Sequence, residues 1–140
     1  MQREVYIVSG VRTAIGDFGG SLKDLPPTEL GAQVAREALL RANVSGDEVQ
    51  HVVFGNVVHT EAKDMYLSRV AAVNAGITKH APALTLNRLC GSGLQAIISA
   101  AQAVTLGDAD IAVAGGAENM SRAGYLSAGK RWGPGWATPP

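Results

Sequence analysis

Short runs of β-branched and aliphatic residues alternate along the chain with segments whose apolar residues recur at helical spacing. A strand pattern followed by a helix pattern, repeated several times, is typical of βαβ units on a mainly parallel sheet. We therefore predict an α/β domain. Its strands are expected at Val5–Val8, Val49–Val58, Ala81–Leu89 and Ile111–Ala114.

Three helices are predicted between these strands, and their ends are marked by capping and stop residues. Thr28 is expected to cap the first helix and Asp64 the second, while Gly76 and Gly107 are expected to end the second and third. The predicted core-facing residues are Leu30, Val34, Ala35, Ala38 and Leu39 in the first helix, Leu67, Val70, Ala71 and Val73 in the second, and Leu94, Ile97, Ile98, Ala101 and Val104 in the third. We expect the third helix to be buried, because its alanines permit close packing.

The single cysteine, Cys90, lies between a predicted strand and the start of the third helix. A thiolate is stabilised at the positive end of a helix dipole, so this position favours a reactive nucleophile over a buried structural cysteine, the alternative interpretation. Gly91 and Gly93 would let the helix start approach a substrate and leave backbone N–H groups pointing outward. That geometry suits a thioester oxyanion.

Composition narrows the function classes further. The 140 residues contain 12 basic and 12 acidic side chains, which balance to a net charge of zero, so neither nucleic acid nor an anionic membrane is expected as a partner. No apolar stretch is expected to span a bilayer, and one cysteine cannot form an intrachain disulfide, so we predict a reduced, cytoplasmic location. No metal-ligand cluster is apparent.

At Leu86–Ile97 the sequence reads LNRLCGSGLQAI, which resembles the active-cysteine segment of the thiolases, the acetyl-CoA acyltransferases. Gly10–Gly16 resembles the first strand and turn of that family, and Gly115–Ser121 resembles its glycine-rich strand end. Two departures are mild: Ala14 stands where many relatives have proline, and Asn119 where many have serine. The resemblance runs from Val5 to about Arg122.

This resemblance implies a thiolase-like N-terminal half-domain, apparently truncated, with a mainly parallel sheet from successive βαβ units and a buried helix after the nucleophile. Residues 1–121 would form that domain. Residues 122–140 would be the start of a loop insertion followed by an atypical Pro/Gly-rich tail.

The resemblance also implies a ping-pong acyl transfer in which Cys90 attacks an acyl-CoA and holds the acyl group as a thioester. A second acetyl-CoA, deprotonated at its α-carbon, would attack this thioester, and the reverse reaction would cleave 3-ketoacyl-CoA. Acyl-CoA and acetyl-CoA would be the substrates, with no separate cofactor and no metal. The full-length family further implies a homo-oligomer.

Two parts of the family's catalytic machinery have no counterpart in this sequence. Thiolases use a histidine to activate the cysteine and a second cysteine as acid and base, and both belong to their C-terminal half. His51, His59 and His80 occur in contexts unlike the family's Gly-His-Pro segment, so no catalytic role is assigned to them. We expect this chain alone to be inactive.

Two other functions remain open. Gly91–Ala96 also fits the G-x-G-x-x-A pattern of a dinucleotide-binding module, with Glu118 after the next strand, although that pattern is weak when it lies on the third predicted strand. The chain could instead be a non-catalytic fragment that binds an intact thiolase subunit. Retention of NAD, or co-purification with a full-length relative, would discriminate these functions.

The final residues, Pro134–Pro140, depart from the Arg/Lys-Met-Gly-Asp type of segment found in relatives. A stretch coding Ala-Arg-Met-Gly-Asp-Ala, read one base later, can encode Pro-Gly-Trp-Ala-Thr-Pro, so a frameshift is one hypothesis. A Pro/Gly-rich tail without such a history is the other. An open thiolase reading frame downstream in the shifted phase would support the frameshift.

Overall fold

Three strands and three long helices alternate along the chain, as the hydrophobic pattern predicts. The computed structural model describes residues 3–127. The elements are α1 (Pro27–Ala42), β1 (His51–Gly55), α2 (Leu67–Ala75), β2 (Ala83–Leu86), α3 (Ser92–Leu106) and β3 (Ala112–Gly116), with short 3-10 helices at Gly46–Glu48, Ala62–Tyr66 and Met120–Arg122. The strands are all parallel and lie in the order β2-β1-β3, which confirms the predicted parallel α/β sheet.

The central strand β1 separates two layers of helices. Val52 and Phe54 are fully buried in a cluster with residues of α1 and α2, whereas Val53 faces Ala96 and Ala100 of α3. Successive side chains of a strand point to opposite faces of a sheet, so the alternation in β1 assigns α1 and α2 to one face and α3 to the other. Gly55 shares the face of Val53, and therefore the start of α3 lies over it.

The starts of α1 and α2 differ from the predicted caps. The residue that precedes α1 is Pro26, and Thr28 lies buried inside the first turn without capping it. Asp64 lies within the 3-10 helix that precedes α2, where its carboxylate accepts hydrogen bonds from the backbone N–H groups of Thr60 and Glu61. Both predicted caps were therefore wrong by position.

The predicted helix ends are confirmed. Gly76 follows α2 with a φ of 89°, and Gly107 follows α3 with a φ of 86°. Glycine adopts this left-handed conformation without the steric cost that a side chain would add, which is why it so often ends a helix.

Helix α3 presents its small residues to the sheet, opposite to the predicted orientation. Its buried residues are Ser92, Ala96, Ala100 and Ala103, whereas Leu94, Ile97 and Ile98 are exposed by 65, 41 and 39%. Alanines let the helix axis lie close to the strands, so the bulky residues are turned outward. The prediction that α3 is buried was wrong for this outer face.

The expectation that no stretch is long enough to span a bilayer was also wrong. By length and composition alone, Leu89–Leu106 could cross a membrane. A core helix of a soluble protein can have the same length and composition, and the alanine face of α3 packs against β1 and β3.

The predicted first strand, Val5–Val8, does not form. Tyr6, Ile7 and Val8 are exposed by more than 70%, and no described strand pairs with them. The phenol of Tyr6 donates a hydrogen bond to Glu4, which raises the pKa of Tyr6 without linking the segment to the sheet. An isolated strand cannot satisfy its backbone hydrogen bonds by itself, so the local pattern was insufficient here.

Two tethers set the course of this N-terminal segment. Arg3 pairs with Asp110 at 2.7 Å before β3, and the N–H of Gly19 donates to Ser121 Oγ at 2.8 Å after β3. The segment from residue 3 to residue 19 therefore runs from the amino end to the carboxyl end of that strand. The predicted tail, Pro134–Pro140, lies outside the described residues, as does the second half of the predicted loop insertion, residues 128–133.

Candidate active site

Cys90 lies where β2 leads into α3, as predicted. Its side chain is exposed and forms no disulfide, and Gly91 is the residue that caps the helix before Ser92 begins it. The thiol is thus presented to solvent at the amino end of α3. This end of a helix carries partial positive charge, which favours a thiolate or a developing oxyanion.

Two polar side chains hold the turn that carries Cys90. Asn87 Oδ1 accepts the N–H of Leu89 at 2.9 Å. Ser92 Oγ accepts the N–H of Arg88 at 2.8 Å and donates to the carbonyl of Leu89 at 2.6 Å. Leu89 has a φ of 50°, a left-handed conformation that costs a leucine about 1–2 kcal/mol. The two side chains offset this cost through local hydrogen bonds.

The glycine that lets α3 lie close to the sheet is Gly55 on β1. A Cβ on Gly55 would lie 2.6 Å from Ser92 Cβ, which is too close, whereas a Cβ on Gly116 would be in ordinary contact, 3.6 Å from the Cα of Gly93. By contrast, a Cβ on Gly93 would have no heavy atom within 4 Å. The N–H of Gly91 donates to the carbonyl of Arg88, so that donor points into the turn rather than outward.

Glu118, after β3, ties together the loops at the carboxyl edge of the sheet. Its carboxylate accepts the N–H groups of Val57 and Val58 at 2.9 and 2.8 Å, and the Nδ2 of Asn56 at 3.2 Å. The same Nδ2 donates to the carbonyl of Ala117 at 2.9 Å. The segment after β1 is therefore fixed to the end of β3.

Asn56 and Asn119 are two of the buried polar residues at this edge. Asn56 is completely buried, and its Oδ1 has no hydrogen-bond partner among the described residues. Asn119 donates through Nδ2 to the carbonyls of Leu22, Lys23 and Leu25, which anchors the turn before α1 to the end of β3. The departure from serine at position 119 thus supplies an amide with several partners.

The three histidines are not brought to Cys90 by any described contact. His51 begins β1, and His80 precedes β2, so both lie at the amino edge, about 13 Å from the carboxyl edge for a strand of this length. His59 is exposed in the segment after β1. Within residues 3–127 no group of three or more histidine, cysteine or carboxylate side chains is placed to hold a metal ion.

A sequence profile described as "Thiolase, N-terminal domain" matches residues 5–134, which is nearly the whole chain. The chain belongs to the thiolase family.

Relatives within this family are close in sequence and in structure. The beta-ketothiolase BktB of Cupriavidus necator is 72% identical over 133 residues, which is 95% of this chain and 34% of that protein. An acetyl-CoA acetyltransferase of Syntrophomonas wolfei is 44% identical, again over 95% of this chain and 33% of that protein. The crystal structure of human mitochondrial 3-ketoacyl-CoA thiolase in complex with CoA matches with a TM-score of 0.89 and 39% identity, over 94% of this chain and 34% of that one.

The chain therefore spans about a third of the length of the thiolases it matches. Its fold is that of the amino-terminal portion of a thiolase. The carboxylate of Glu118 accepts N–H groups of the segment after β1 and would have to release them to bind a ribose. Glu118 therefore does not fit the acidic residue that a dinucleotide-binding module needs.

Sequence reasoning placed Cys90 at the strand-to-helix junction but missed the contacts of the side chains that support this thiolase segment. Asn87 carried a local signal, since an asparagine often accepts the N–H two residues further on. Glu118 and Asn56 carried none, because their partners are about 60 positions away.

Proposed function

We propose that this chain carries the acyl-accepting cysteine of a thiolase-type acyltransferase, which exchanges acyl groups between acyl-CoA and acetyl-CoA. The observation that supports this most is the exposed Cys90 at the start of α3, inside the segment shared with the thiolases. A relative solved with CoA covers the same part of the fold. The substrates proposed are thioesters of coenzyme A, with no separate cofactor.

In the first half-reaction the sulfur of Cys90, as thiolate, attacks the carbonyl carbon of an acyl-CoA. A bond forms between that sulfur and the carbonyl carbon, the bond from this carbon to the sulfur of CoA breaks, and the departing CoA thiolate takes up a proton. The amino end of α3 would stabilise the negative charge on the oxygen of the tetrahedral intermediate. A thioester on cysteine stays reactive toward a carbon nucleophile, as the second half-reaction needs.

We further propose that the chain by itself completes only this first half-reaction. The second step needs an acid and base that removes a proton from the α-carbon of acetyl-CoA, and Cys90 is the only cysteine of the sequence. The histidine and second cysteine implied by the family would come from outside this chain. Cytoplasmic location, a role in fatty acid metabolism and assembly into homo-oligomers are part of the same proposal.

A product assay tests both statements together. We expect the chain, mixed with acetyl-CoA, to release a single CoA per chain, measured after chromatographic separation. We expect no acetoacetyl-CoA, because no enolate of acetyl-CoA is formed to attack the thioester on Cys90. Continuous formation of acetoacetyl-CoA would contradict the proposal that the chain stops after the first half-reaction. A folded chain that releases no CoA would contradict the acyl transfer itself.

The binding function remains the second candidate, and the outer face of α3 favours it. Leu94, Ile97 and Ile98 form an exposed apolar strip on a helix whose other face packs against the sheet. Exposed apolar strips of this kind often mark interaction surfaces. Co-purification with a full-length thiolase, without CoA release, would support this function over acyl transfer.

A further inference from the structure

The turn before Cys90 contains a residue in a conformation that it does not favour by itself. Leu89 adopts a φ of 50° immediately before the cysteine. A leucine enters this left-handed region only where its surroundings hold it there. The position of the Cys90 sulfur therefore depends on contacts made by neighbouring residues.

The side chain of Asn87 makes two such contacts. Its Oδ1 accepts the N–H of Leu89 at 2.9 Å, and its Nδ2 donates to the carbonyl of Val57 at 3.4 Å. The first contact lies within the turn, and the second reaches a segment 30 residues earlier in the chain. Asn87 thus connects the turn to the loop after β1.

That loop is itself fixed, because Glu118 accepts the N–H of Val57 at 2.9 Å and that of Val58 at 2.8 Å. Because Asn87 bonds this fixed loop through Nδ2 and the backbone of Leu89 through Oδ1, it holds Leu89 in place relative to the loop. The carbonyl of Val57 is therefore a hydrogen-bond acceptor of fixed position for the amide of Asn87.

We infer that Asn87 is a positioning residue for the nucleophile, holding Leu89 left-handed so that the thiol of Cys90 stays at the amino end of α3. This inference rests on the proposed role of Cys90 in acyl transfer. Ser92, in the first turn of α3, also bonds this turn. Of the two side chains, only Asn87 connects the turn to the loop after β1.

The charged groups next to the turn are each held by partners of their own. The guanidinium of Arg88 bonds Gln95 Oε1 at 2.6 Å on α3, and Glu118 lies after β3 with its carboxylate bound to N–H groups. Neither set of contacts involves the side chain of Asn87.

The test is the rate at which iodoacetamide alkylates Cys90, the only thiol, at one neutral pH and at low micromolar protein concentration. For Asn87→Ala we expect the rate at neutral pH to fall about threefold, because the sulfur of Cys90 is no longer held at the amino end of α3. Asn87→Ser keeps an oxygen that can accept the N–H of Leu89, so it should restore most of the rate. Asn74→Ala, at an exposed position on α2, is the matched control and should react like the unaltered chain.

An alkylation rate of folded Asn87→Ala equal to that of the unaltered chain would overturn the inference, and so would an Asn87→Ser chain that reacts as slowly as Asn87→Ala. If Asn87→Ala does not fold, the folding and alkylation rate of the double variant Asn87→Ala/Leu89→Gly test the inference, since glycine adopts a positive φ without support. Recovery of a folded, reactive chain supports positioning, whereas a slow or unfolded one contradicts it.

Failure of this inference is distinct from failure of the proposed function. Alkylation needs no CoA thioester, so Asn87 can prove to position Cys90 even if no CoA is released from acetyl-CoA. Conversely, CoA release by an unaltered chain, together with unchanged alkylation of Asn87→Ala, would leave the function standing and remove the role of Asn87.

Discussion

Replacing Gly55 by alanine is expected to lower the free energy of unfolding by about 2–3 kcal/mol, because the new methyl group overpacks the contact between β1 and α3. The added Cβ would lie 2.6 Å from Ser92 Cβ and 2.7 Å from its carbonyl carbon, and the second of these atoms is backbone. The first turn of α3 must therefore move outward, and Cys90 with it. Urea unfolding followed by circular dichroism measures the change.

Gly93→Ala is the matched control, since it adds the same methyl group to the first turn of α3. No heavy atom lies within 4 Å of the added Cβ, and alanine favours a helix over glycine, so we expect a small gain of about 0.5 kcal/mol. Equal stability of the two variants would show that α3 does not sit as close to β1 as the structure places it.

Replacing Glu118 by glutamine is expected to cost about 2 kcal/mol of folding free energy. The amide keeps one oxygen, but its NH₂ group then faces the N–H of Val57 or of Val58, so one backbone donor loses its acceptor. The loop after β1 is loosened as a result. Thermal or urea unfolding at constant pH measures the loss.

The control for this substitution is Glu37→Gln on α1. Glu37 is an exposed partner of Arg41 at 2.7 Å, four residues along the helix, and such pairs contribute only about 0.3–0.5 kcal/mol. A Glu118→Gln chain as stable as the Glu37→Gln chain would mean that Glu118 does not hold the loop.

Features with local causes were predictable from the sequence. Helices stop at Gly76 and Gly107 because glycine tolerates a left-handed φ. The strand-to-helix junction at Cys90 could be predicted because the strand and helix patterns on either side of it each extend over only a few residues. The family resemblance was carried by the same short segments and is confirmed by the match over residues 5–134.

Features whose causes lie far away in the sequence could not be predicted. The orientation of α3 follows from the close approach of Gly55 to Ser92, which favours alanines over leucine and isoleucine at the contact. Val5–Val8 has the composition of a strand, yet strand formation needs a neighbour that no local pattern supplies. The partners of Glu118 lie about 60 positions earlier in the chain, beyond the reach of periodicity.

The most direct test of the central claim, that the fold makes Cys90 an acyl acceptor, is the rate at which acetyl-CoA acetylates this thiol. Mass spectrometry of proteolytic fragments would compare the folded chain with a peptide of residues 86–95 under the same conditions, with Cys90→Ala as the control. We expect the acetyl group on Cys90, absent from Cys90→Ala, to form at least about three times faster in the folded chain because of the helix dipole. Equal rates, or the same acetylation in Cys90→Ala, would contradict the account.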